Sequence, residues 1–155
     1  MKFKALISMG LASSVLLTAG SFNAASAHEQ VGRLGRNKNA TDVYRVTCTD
    51  QGGGGPHLEF QIRDLLPRKP PLVQVEVEKG NQKAVSTDLR DGDPRSSPLV
   101  KLNGGAGGYT VTVKKLPKPN RPDRTRRYPE NYLLTYHCIT GIEHTATSIV
   151  TLRNQ

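Results

Sequence analysis

Polar and apolar residues alternate along most of this chain with a period of two, and the period near 3.6 that marks an amphipathic helix is almost absent. In DVYRVTCTD, Tyr44, Val46 and Cys48 point one way while Arg45 and Thr47 point the other. HLEFQIRDL sets Leu58, Phe60 and Ile62 against Glu59, Gln61 and Arg63, and LVQVEVEKG sets Val73, Val75 and Val77 against Gln74, Glu76 and Glu78. The alternation returns at Tyr109, Val111 and Val113, then at Tyr132, Leu134, Tyr136 and Cys138. A last run, TATSIVTLRN, puts Ala146, Ser148, Val150 and Leu152 on one face, and PLVKL at 98–102 adds a short strand. Gly and Pro clusters (QGGGGP, LPRKPP, DGDPRSSP, NGGAGG) punctuate the runs. About seven short strands so separated predict an all-β fold, a single antiparallel β-sandwich over residues 41–155, rather than βαβ units. Residues 28–40, HEQVGRLGRNKNA, are polar and Gly-containing and read as an N-terminal arm or edge strand.

The first residues follow another pattern. Lys2 and Lys4 precede the apolar run ALISMGLASSVLLTAG, and Ala25 and Ala27 place small residues three and one before His28. That is the layout of a secretory signal cleaved after residue 27. The run is interrupted by Ser and Gly and falls short of the ~20 apolar residues a spanning helix needs. No second such run follows, so the mature chain, residues 28–155, is expected to be exported to the periplasm or the exterior and not to span a membrane.

Export changes the meaning of the two cysteines. Cys48 and Cys138 are the only ones, no CxxC-type metal spacing exists, and an oxidising compartment makes one disulfide the default. The bond would close a loop of about 90 residues and stabilise the fold by about 4 kcal/mol in the chain-entropy account. Cys48 lies on the first strong strand and Cys138 on the next-to-last, both in the apolar phase. With Tyr136 two residues before Cys138, and Phe60 where a core Trp is often found, residues 41–152 resemble an immunoglobulin-like sandwich pinned by an inter-sheet disulfide. The chain departs from that pattern in having no Trp at all. The resemblance is to an architecture, and architecture alone implies no function.

Charge narrows the partners. The sequence holds 22 Lys and Arg against 13 Asp and Glu, and losing Lys2 and Lys4 with the leader lowers its net charge from +9 to +7. For an exported chain this favours an anionic surface or acidic protein over nucleic acid. The excess concentrates in KKLPKPNRPDRTRRYPE, where Lys114, Lys115, Lys118, Arg121, Arg124, Arg126 and Arg127 face only Asp123 and Glu130. Its four prolines keep the segment extended and out of the sheets, and its arginines can grip carboxylate or phosphate bidentately.

The remaining candidate chemistry is metal binding. Cleavage before His28 would free an α-amine beside an imidazole, two nitrogen ligands from one residue. With a second imidazole from His57, His137 or His144 they would suit Cu(II). Asp88, Asp91 and Asp93 in TDLRDGDP are a weaker calcium candidate, lacking the rhythm of an EF-hand loop and flanked by Arg90 and Arg95. The glycine clusters lack the Lys-Ser/Thr ending and following helix of a phosphate loop. No GxSxG elbow is present, and paired cysteines leave no free thiol nucleophile. The sequence therefore points to a non-catalytic binding or accessory module with a basic loop. A copper-binding protein using His28 and a second histidine is the alternative, and a subunit of a surface assembly joined through a sheet edge is another.

Overall fold

A strand with apolar side chains on one face must bury that face, and sheets built from such strands do so most simply against each other. The computed structural model describes residues 28–50, 52, 54–66, 71–90, 92–120 and 126–155. The proposed leader 1–27, Asp91, Arg121 and Arg124 lie outside the described residues. Strands β1 (His28–Leu34), β2 (Thr41–Cys48), β3 (His57–Asp64), β4 (Leu72–Lys79) and β5 (Gln82–Asp88) are followed by β6 (Val100–Leu102), β7 (Gly107–Leu116) and β8 (Glu130–Thr140). The two-residue β9 (Glu143–His144) and β10 (Thr147–Arg153) complete the order.

The strands form two antiparallel sheets. One has the order β1-β8-β3-β6, with β9 also paired to β8, and the other the order β10-β2-β7-β4-β5. Among the described residues there is no α-helix. The alternating apolar positions meet in one core: Tyr44, Val46, Val75 and Val111 from one sheet, Leu58, Phe60, Ile62 and Leu134 from the other. Cys48 on β2 and Cys138 on β8 are bonded across the sheets, with Cα atoms 5.4 Å apart and both residues buried.

A short polar chain crosses this core. Tyr132 donates a hydrogen bond to Asp42 Oδ2 at 2.5 Å, and the Tyr44 and Tyr132 hydroxyls are 2.6 Å apart. The other Asp42 oxygen accepts from the backbone N of Gln155 at 2.8 Å. Desolvation raises the pKa of both tyrosines, and for Tyr132 the neighbouring Asp42 and Tyr44 add to the effect, so both hydroxyls stay protonated. Every member of the chain thereby has a partner, as buried polar groups require.

Pairing decides which face of β10 meets the core. The shared face of Ala146, Ser148, Val150 and Leu152 turns outward, leaving Val150 59% and Leu152 52% exposed. The core receives Ile149 instead. Pairing decides the phase: Thr147 stands opposite Cys48 and Ile149 opposite Val46, both inward positions of β2. A register shift between Thr151 and Arg153 then breaks the simple alternation.

Candidate functional site

Two places bring the chemistry-bearing side chains together. The first is the end of the molecule where β1 runs into β2 and β7 into β8. Leu34 pairs with Glu130 and Thr41 with Lys114, so both ends of the 35–40 connection lie beside the strand ends that border the basic connection. Lys115 joins them: its buried Nζ donates to Gly35 O at 2.6 Å and to Tyr128 O at 3.1 Å. Burial pushes its pKa down, against the opposing pull of Glu130 and with a smaller contribution from Arg126. Lys114 is also engaged, donating to Glu76 Oε2 at 2.7 Å while Lys83 holds the other oxygen at 2.7 Å. Burial raises the Glu76 pKa, but the two lysine hydrogen bonds outweigh it and leave the carboxyl below its ordinary value.

Arg36, Asn37, Lys38 and Arg127 line a cleft of about 590 Å³ at this end. A second cleft of about 310 Å³ shares Lys38 and is bordered by Thr41, Lys114, Lys115 and Arg126. Of the seven basic residues picked out by sequence, Lys114, Lys115, Arg126 and Arg127 thus border these clefts, and Lys118 belongs to the same connection. Arg36 and Lys38 were missed because their segment read only as a polar arm; the available signal was the charge run GRLGRNK, which carries no acid.

The second place is one edge of the β1-β8-β3-β6 sheet. His28 opens β1 in register with Tyr136, and β8 runs on past it, so His137 is the first residue of β8 beyond the start of β1. His137 pairs with Glu59 on β3, and two residues later Ile139 pairs with His144 on β9. The His28 and His137 ring centroids are 6.4 Å apart at 66°, and those of His137 and His144 4.9 Å apart at 83°. The His28 ring also lies 5.7 Å from that of Tyr136. Nδ1 of His28 and Nδ1 of His137 are buried and have no hydrogen-bond partner in the protein. Burial lowers the pKa of His137, the neighbouring His144 and His28 lower it further, and Glu59 and Glu29 oppose them. The ring therefore stays neutral to a lower pH than its ordinary value of 6.5.

His57 has a different engagement. Its Nε2 is 3.1 Å from Glu59 Oε1, which also holds Lys101 at 2.7 Å. The Lys101 hydrogen bond is the main reason the Glu59 pKa is lowered. Among the described residues no group of three or more His, Cys, Asp or Glu side chains is arranged to hold a metal ion. At the proposed calcium turn, Asp88 is buried and accepts from the backbone N of Asp64 and of Arg90, while Asp93 accepts from the N of Arg95. Asp88 thus bonds one backbone donor on β3 and one in its own turn, and Asp93 one in its own turn.

No helix among the described residues is long and apolar enough to cross a membrane. Compared with known proteins, the chain matches no protein-family model, no curated protein and no solved structure.

Proposed function

We propose that the protein is an exported, non-catalytic binding module that docks on an anionic surface through the clefts between the 35–40 and 117–129 connections. The observation that carries this reading is the convergence of Arg36, Lys38 and Arg127 on one cleft, with Arg126 bordering the next. Cations gathered in a concave site focus field and attract anions more strongly than the same charges spread over a sphere. The buried disulfide supports export, since such bonds persist in non-reducing compartments.

The same reading takes the fold as an immunoglobulin-like sandwich with its outer strands exchanged. Its support is the disulfide between inner strands β2 and β8 of facing sheets. Its departure is that β1 flanks β8 and β10 flanks β2, whereas the immunoglobulin pattern sets the first strand beside the strand of the first cysteine.

Binding to vesicles containing phosphatidylserine tests the function. Each cation at an anionic membrane contributes about 1 kcal/mol, so Arg36→Gln with Arg127→Gln should weaken binding about 30-fold. Added salt should weaken the wild type in the same direction. Lys83→Gln with Lys101→Gln removes equal charge elsewhere and should have a much smaller effect. Equal losses in both pairs, or no loss in the first, would refute the cleft.

A further inference from the structure

We infer that proteolytic exposure of His28 creates a Cu(II) site from the α-amine and imidazole of His28 together with the imidazole of His137. This site is independent of the basic clefts, which lie beyond the opposite end of β1.

Three nitrogen ligands follow from the chemistry of a free N-terminal histidine. Only two histidine side chains are required, because the third nitrogen belongs to the backbone. An α-amine, Cα, Cβ, Cγ and Nδ1 close a six-membered ring through a metal, and Nδ1 of His28 has no competing hydrogen bond. In an intact peptide the same backbone nitrogen is an amide, with its lone pair delocalised into the carbonyl. Cutting the bond before His28 converts it into a basic amine, which sheds its ammonium proton as the metal binds.

The distances choose His137 as the second imidazole. With metal–nitrogen bonds of about 2 Å and a ring centroid about 1 Å further on, rings on opposite sides of one metal have centroids about 6 Å apart. The His28–His137 separation of 6.4 Å matches that spacing. Register supplies the position: β8 continues past the start of β1, so His137 lies beside the point where the new amine would stand. Nδ1 of His137 likewise carries no protein partner. His57 is excluded by its bond to Glu59. His144 packs edge-on against His137 at 4.9 Å and 83°, which makes it a positioning residue for that ring. Nitrogen donors with an open position suit Cu(II), which also heads the affinity order of the divalent first-row metals.

The test uses mature protein purified from its export compartment, with intact mass to define its first residue and Cu(II) alone as the probe. Calorimetry and electron paramagnetic resonance should report one tight site with nitrogen hyperfine structure. Loss of an outer-shell partner typically costs about 10- to 100-fold in metal affinity, so loss of a ligand should cost more than about 100-fold. That loss is expected for a Gly inserted between Ala27 and His28 and for His137→Ala. His144→Ala should cost about tenfold, and His57→Ala should bind like wild type. Thermal unfolding of each variant checks that it is folded, and the Gly insertion leaves every described side chain in place. A mature chain that starts elsewhere, an extended chain that binds Cu(II) as well as the wild type, or a folded His137→Ala variant of undiminished affinity would each overturn the site.

Discussion

Gly32 shows how much one missing side chain decides. It stands opposite Tyr132 in the β1–β8 register, and a Cβ built on it would lie 2.2 Å from both Cζ and Oη of that ring. Tyr132 cannot retreat, because it is fully buried and its hydroxyl is held between Asp42 and Tyr44. Gly32→Ala must therefore move β1 outward or break the buried polar chain. Overpacking alone costs about 1–3 kcal/mol, and leaving a buried hydroxyl or carboxylate without its partner costs about as much again. We expect urea unfolding to show a loss of about 3 kcal/mol, and a loss under about 0.5 kcal/mol would mean that β1 does not press on Tyr132. Since β1 also carries His28, the variant should disturb the histidine edge before it disturbs the distant β4–β5 hairpin.

At the scale of the element, β10 separates what pattern can decide from what pairing decides. Ile149 packs on the core while Val150 and Leu152 face water. Val150→Thr keeps the branched side chain on an exposed face and should change stability by less than about 0.5 kcal/mol. Ile149→Thr sets a hydroxyl against the core and should cost about 1–2 kcal/mol in the same urea titration; the reverse order would mean that Val150, not Ile149, meets the core. The sequence leaves open which face of this strand turns inward, and the reason is physical. Both of its phases contain branched apolar residues, and only the pairing with β2 selects between them. Strands such as β3 and β4 were legible because every second residue is charged or amide, so one phase alone can be buried. The histidine cluster was half legible. Its members were visible as residue types, but His28 and His137 are brought together only by the long-range β1–β8 pairing. The basic clefts needed a similar long-range fact, the Lys115 bridge that sets the 35–40 segment beside the proline-rich one.

For the whole molecule the disulfide cross-links β2 and β8 of the facing sheets, in addition to the backbone connections that pass between them. Cys48 is 1% and Cys138 0% exposed, so a reductant reaches the bond only after the sheets separate. The bonded residues are 90 apart in sequence, which places β3 to β7 inside the closed loop. A cross-link of that span restricts the unfolded chain strongly, and its removal should cost about 4 kcal/mol in the chain-entropy account. The core around it is rich in valine and tyrosine and forms one cluster among the described residues. The double variant Cys48→Ala, Cys138→Ala should therefore unfold at a markedly lower urea concentration than the oxidised protein. Native protein given a mild reductant should keep its bond until enough urea is added to open the sandwich, and the two events should coincide. If the double variant lies within about 1 kcal/mol of the oxidised protein, packing alone holds the sheets together. If the bond is reduced in the absence of urea while the fold persists, the sheets part locally at β2 and β8, and the buried placement of both sulfurs does not govern their chemistry.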